Sequence, residues 1–296
     1  MIRLALRVRH EHAERVLAEL LELAPSGVEE VRVGEATVEY AVYGAPGELP
    51  SLPALNALAG DALVEISTSE TADDWQERWK CFHRPVLIPA PLPRSRDGRR
   101  VPDLLVRPPW EPESARGVAV EEIVIDPGQA FGTGGHASTR LCLELLLALA
   151  LFEPPAGPLL DIGTGSGVLA IAGARVGFAP VLGVDHERES VDAARANATA
   201  NGVEIAVRQL DLRTQPLPLI DASDALAGSV VVVANLLRPL LIELARVMAR
   251  APRHLLAGGL LKEQVDEVAD LFSDRFALRE RERRESGEWA AVWLAP

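Results

Sequence analysis

The 296-residue chain is 48% hydrophobic and 25% charged, with both charge signs spread along it, which excludes a disordered polymer. Its net charge of −13 fits poorly with sequence-independent nucleic-acid binding, which runs on lysine and arginine; it suits docking of a basic protein, although solubility alone also accounts for it. Cys81 and Cys142 leave no disulfide framework, no N-terminal signal pattern is visible, and no apolar run reaches the roughly 18 residues of a membrane span, so a soluble, cytoplasmic protein is expected.

Residues 2–8 alternate like a strand, and 11–23 repeat apolar positions at helical spacing. Two strands over 28–33 and 36–43 meet at Gly34-Glu35, followed by a short helix over 52–58 and a strand over 63–66. This β-α-β-β-α-β order predicts a small α+β, ferredoxin-like domain over 1–68. A connecting segment, 69–120, is expected next. It opens with a helix over 73–82, where Trp75 and Trp79 lie four apart on one face, as core packing or as a hinge-side surface. Prolines over 85–112 then predict irregular structure with short strands, and Arg94, Arg96, Arg99, Arg100 and Arg107 read most simply as a solvated basic stretch.

Residues 121–296 alternate strand and helix, which implies a parallel sheet. Strands are predicted at 159–162, 181–184, 205–208, 230–235 and 253–257, with a terminal hairpin of 276–283 and 288–294. The Arg/Glu alternation over 278–285 reads as a solvated strand face. Two glycine-rich segments stand out here: DPGQAFGTGGHAST at 126–139, continued by a helix through 152, and LLDIGTGSGVLAIA at 159–172. The second reads as strand, tight turn and helix (Val168 to Val176), and glycines there let a ligand approach bare backbone beside free helix N–H groups. A dinucleotide fingerprint needs a third glycine five residues after the first, where this chain has Val168. The pattern is instead D-x-G-x-G-x-G from Asp161, and Asp185, 22 residues after Gly163, is placed to grip a ribose diol. Such turns also occur purely for strand-to-helix packing.

This order resembles the class I S-adenosylmethionine (SAM)-dependent methyltransferases. The DPGQAFGTGGHAST segment, with DDWQERWK at 73–80, VVVANLLRPLLIELA at 231–245 and GGLLKEQ at 258–264, resembles the PrmA family, which trimethylates ribosomal protein L11 of the large-subunit stalk. The resemblance covers roughly 70–296 and departs from the commonest family form at Gly135, Ala137 and Ser138. It implies a seven-stranded, Rossmann-like α/β catalytic domain over 121–296 and a substrate-recognition role for the N-terminal domain. It also implies SAM as cofactor and L11, free or on the large subunit, as partner, with a monomer expected and no sequence-specific nucleic-acid binding.

The resemblance assigns roles residue by residue. The Gly163 backbone holds the methionine part of SAM, with Asp161 and Gly165 in the same turn, and Asp185 holds the ribose hydroxyls. Thr139 closes over the cofactor, and Asn235 contacts the cofactor and reaches the methyl-transfer position as the catalytic residue. Phe131 is a candidate to stack near the sulfonium, since cations are attracted to ring faces; a core role is equally open. Asp211 is placed either near adenine or in a loop or helix cap, and His136 as a base or as a hydrogen-bonding group. No metal site is expected, because the six histidines lack ligand spacing. Two other readings stay open: a lysine methyltransferase of another protein, and a non-catalytic SAM-binding assembly protein.

Overall fold

The computed structural model describes residues 2–23, 28–32, 36–44, 49–50, 52–70, 83–91, 100–113, 120–127, 132, 134–155, 157–218 and 229–296. The helix expected over 73–82, the turn at Gly34-Glu35, Phe131, and Arg94, Arg96 and Arg99 lie outside them. The chain divides into two compact units, 1–82 and 83–296.

In the first unit, β1 (Ile2–Arg9), α1 (Ala13–Leu23), β2 (Glu29–Arg32), β3 (Thr37–Gly44), α2 (Leu52–Ala59) and β4 (Leu63–Glu70) follow in order. The strands form an antiparallel sheet in the order β2-β3-β1-β4, the connectivity of a ferredoxin-like domain. The alternation of β1 separates the faces. Leu4, Leu6 and Val8 are buried, with Val16 and Leu20 of α1 and Leu55 of α2 also in the core, while Arg3 and Arg7 pair with Glu39.

The second unit opens with β5 (Val86–Ile88), β6 (Asp103–Arg107) and β7 (Val120–Val124), a three-stranded sheet with β5 antiparallel and β7 parallel to β6. Part of the segment read as connection therefore belongs to the folded second unit. Arg107 is correspondingly not a solvated cation: it is 7% exposed and pairs with Glu122 at 2.9 Å, while Arg100 is exposed.

The remainder is α3 (Ala137–Phe152), β8 (Leu159–Ile162), α4 (Val168–Val176), β9 (Val181–Asp185), α5 (Arg188–Ala200), β10 (Ala206–Gln209), β11 (Val231–Asn235), α6 (Arg238–Val247), β12 (His254–Leu261), α7 (Val265–Phe276), β13 (Arg279–Ser286) and β14 (Trp289–Ala295). Seven strands form one sheet in the order β10-β9-β8-β11-β12-β14-β13. The first five are parallel, and β14 runs antiparallel between β12 and β13. This is the seven-stranded methyltransferase arrangement. Helices cover both faces, so β8, β11 and β12 are near-continuous apolar runs rather than alternating ones. One face carries Leu160, Ile162, Val232 and Leu255 into a core with Leu241 and Leu244 of α6 and Phe272 of α7. Residues of opposite parity, Asp161 among them, point to the other face. The order reverses between β8 and β11, and the crevice outside their carboxyl ends is where ligands bind in such sheets.

Phe272 is fully buried in that core, whereas Phe152 is 67% exposed with only an edge contact to Trp293. Urea titration of Phe272→Ala is expected to show a loss of about 3–5 kcal/mol. Phe152→Ala should cost about 1 kcal/mol or less, and equal losses would show that the core is placed wrongly.

Candidate active site

The turn leaving β8 has φ of +71° at Gly163, +52° at Gly165 and +85° at Gly167, angles that other residues reach only with strain. Gly167 also has no room for a side chain, since a Cβ there would lie 3.1 Å from Ala194 Cα on α5. Two carboxylates hold the turn. Asp161 Oδ2 accepts from Thr164 Oγ1 at 2.7 Å and from the Ala170 amide at 3.2 Å. From the neighbouring strand, Asp185 Oδ2 accepts from the Gly165 amide at 2.9 Å, and Val184 O takes the amides of Gly163 and Thr164.

These two acids sit in different surroundings. Asp161 is fully buried, and burial pushes its pKa up to about 7, with the Asp185 charge adding to the rise and the bonds from Thr164 and Ala170 opposing it. Its Oδ1 has no hydrogen-bond partner among the described residues. Asp185 is 7% exposed at the end of β9, its Oδ1 accepting from the Glu187 amide at 3.1 Å with His186 Nδ1 at 3.4 Å. Each carboxylate oxygen accepts two bonds, so Asp185 retains acceptor capacity for hydroxyl groups.

Asn235 ends β11 across the strand-order reversal. Its Nδ2 donates to Oγ1 of Thr139, a fully buried residue in the first turn of α3, at 3.2 Å. That leaves Asn235 Oδ1 buried and without a partner among the described residues. The neighbouring strand β12 carries glycine beside it. A Cβ on Gly258 would lie 3.2 Å from Asn235 Oδ1 and 2.3 Å from Cys142 Sγ. The following Gly259 has φ of +77° at a register shift between β12 and β14, and its missing Cβ lets the backbone of Leu236 approach. Burial holds the Cys142 thiol well above its ordinary pKa, so it stays protonated.

The chain entering the first glycine-rich segment is tied to α5. Asn201 exchanges two bonds with the backbone of Val124, and Asn197 two with Asp126. Asn197 also reaches Ser166 O, and Ser166 Oγ donates to Gly132 O. Sequence reasoning missed both asparagines. No local signal marks them: Asn197 is only a poor helix former inside α5, and Asn201 is its C-cap, an ordinary place for asparagine.

His136 caps the N-terminus of α3: its Nδ1 accepts from the Ser138 amide, and its ring meets the Trp289 ring edge-on at 4.8 Å. Burial, aided by Arg140, lowers its pKa to about 4, so the ring is a neutral hydrogen-bonding group near pH 7. Asp211 pairs with Arg213 at 3.0 Å beyond the end of β10, which holds its carboxyl below the usual range. Thus Asp161, Gly163, Gly165, Asp185, Thr139 and Asn235 gather at the carboxyl edge, and Phe131 lies outside the described residues. No cluster of metal-ligating side chains and no helix long and apolar enough to cross a membrane occurs among the described residues.

A family model described as ribosomal protein L11 methyltransferase (PrmA) matches residues 54–295. The ribosomal protein L11 methyltransferase of Syntrophotalea carbinolica is 38% identical over 245 residues, covering 77% of this chain and 70% of that protein. The protein of the same name from Caldicellulosiruptor bescii is 33% identical over 232 residues, covering 77% of this chain and 67% of that one. The chain thus spans about two thirds of the length of these curated relatives. Among solved structures, a ribosomal protein L11 methylase from Lactobacillus delbrueckii subsp. bulgaricus superposes with a TM-score of 0.53 at 28% identity, covering 65% of this chain and 94% of that one.

The raised pKa of Asp161 has a consequence for stability. An unfolded aspartate releases its proton near pH 3.9, whereas the folded one keeps it to about pH 7. The contribution is therefore full below about pH 4 and lost as pH rises toward about 7. Relative to wild type, the stability of Asp161→Asn in urea titrations should rise from about pH 4 to about pH 7 and level off above that. A difference that stays constant with pH would mean that Asp161 ionises normally.

Proposed function

This chain belongs to the ribosomal protein L11 methyltransferase family, and from that premise we propose that it transfers methyl groups from SAM to lysine side-chain and N-terminal amines of ribosomal protein L11. It does so as a cytoplasmic monomer, with the N-terminal unit recognising the substrate. The observation that carries the reading is the unpartnered Asn235 Oδ1, buried at the carboxyl edge of the sheet beside the glycine turn.

The residues present fit the cofactor. The glycine backbone of the turn at Gly163 and Gly165, with the Asp185 carboxylate as acceptor and the unpartnered Asp161 Oδ1 behind it, suits a nucleoside bearing an amino acid. Thr139 and Phe131 complete the holding set. When bound, SAM supplies an electrophilic methyl group on a sulfonium.

The protein's task is then to present a neutral amine in line. A free lysine with a pKa of about 10.4 is neutral only about once in a thousand near pH 7.4, a deficit of about 4 kcal/mol. An apolar surrounding lowers that pKa and reduces the deficit. Asn235 Oδ1 accepts one N–H of the incoming amine and fixes its lone pair, and solvent takes the released proton. Holding reactants in such a geometry lowers a barrier by about 7–11 kcal/mol, which leaves little for acid–base side chains to do. His136, neutral and committed to the cap of α3, is not needed as a base.

The test is the intact mass of purified, unmethylated L11 after incubation with this protein and SAM. Gains in single-methyl steps are expected, with Asn235→Ala slower by about a hundredfold or more in kcat. An unchanged mass despite SAM binding would overturn L11 as substrate. Full turnover by Asn235→Ala would remove the residue from the chemistry.

A further inference from the structure

Two buried asparagines lie one turn apart, Asn197 in helix α5 at 3% exposure and Asn201 at its C-cap at 7%, and they do different things. Asn201 serves one segment. Its Oδ1 accepts from the Val124 amide at 2.8 Å, and its Nδ2 donates to Val124 O at 2.6 Å and to Asn197 O at 2.7 Å. Asn197 serves two. Its Oδ1 accepts from the Asp126 amide at 2.9 Å, and its Nδ2 donates to Asp126 O at 3.3 Å and to Ser166 O at 2.8 Å. Ser166, itself fully buried, donates Oγ to Gly132 O at 2.6 Å. The first glycine-rich segment is thereby attached to the second at Asp126 and again at Gly132.

We infer that Asn197 is a positioning residue that sets the spacing of the two glycine-rich segments, whereas Asn201 only anchors the strand that leads into them. A primary amide is the one uncharged side chain with two donors and a two-lone-pair acceptor on a single short stem. Aspartate would set an anion against the carbonyls of Asp126 and Ser166, and alanine would strand an amide and two carbonyls together. The binding arm of the test rests on the SAM reading given above; a second arm does not.

Asn197→Ala and Asn201→Ala are compared in the full chain. Both should lose stability in urea. In Asn197→Ala, calorimetry is expected to show S-adenosylhomocysteine bound about tenfold or more weakly, with KM for SAM rising in step and kcat at saturation within about threefold of wild type. In Asn201→Ala the affinity should stay within about threefold of wild type. In the ligand-free proteins, hydrogen exchange at the Gly165 and Ser166 amides should quicken in Asn197→Ala alone. Equal weakening by the two variants, or exchange at Gly165 and Ser166 that is unchanged in Asn197→Ala, would overturn the assignment. A wild-type protein that binds no S-adenosylhomocysteine would sink the SAM reading, and the exchange arm would still decide this one. If Asn197→Ala does not fold, Asn197→Ser, too short to bridge Asp126 and Ser166, carries the same comparison.

Discussion

The carboxyl edge of the large sheet depends on a five-residue turn, 163–167, that has almost no side chain of its own to hold it. Three of its residues are glycines at positive φ. The constraint is met from outside by two carboxylates on adjacent parallel strands, Asp161 below the turn and Asp185 beside it. Thr164 is the turn's one side-chain contribution toward Asp161, and it fits only because Gly183 on the neighbouring strand is bare: a Cβ there would lie 2.8 Å from Thr164 Oγ1. A glycine inside a buried strand is otherwise a loss of packing. Here it makes the room in which the buried acid finds its donor.

The same economy recurs on the other side of the strand-order reversal. Asn235 and Cys142 pack against bare Gly258 backbone in β12, and the chain leaves β11 because Gly259 lets Leu236 backbone pass close by. The bond from the Leu236 amide to Gly258 O closes this corner. Two strand ends and two sets of glycines thus frame one crevice, with α3 sealing it through Thr139 and Cys142.

What was legible in the sequence follows from how local each feature is. The 159–162 strand, the glycine turn and the 168–176 helix were readable because an apolar run, left-handed turn and helix start are written within a single stretch. Asp185 and Asn235 were readable because strand ends coincide with the first polar residue after an apolar run. β12 proved longer than its apolar beginning suggested, since it continues through Gly258 and Gly259 by way of the register shift. Short strands were legible among the prolines of 85–112, but not their pairing with β7 into a sheet, because strands of three to five residues acquire their pairing from tertiary neighbours rather than from period. Arg107 misled for a related reason: a cation beside prolines reads as solvated until its partner, fifteen residues on at Glu122, is brought onto the adjacent strand. Asn197 was invisible because its role lies entirely in bonds to residues 31 and 71 positions away.

The buried acceptors left over explain why such a site can work with so few groups. Asp161 Oδ1 and Asn235 Oδ1 are buried without a hydrogen-bond partner among the described residues, and an unmet buried polar atom costs about 1–3 kcal/mol. A free-standing loop could not sustain two of them. Here they are fixed at the ends of strands whose apolar residues are fully buried on both sheet faces. The desolvation is therefore borne by folding, before any ligand arrives. A donor that reaches Asn235 Oδ1 meets an acceptor already aimed by the fold, so it gains the bond with little reorganisation. For the proposed transfer to an amine, whose own N–H groups are the donors, such an acceptor favours one orientation of the nucleophile and leaves the proton to solvent.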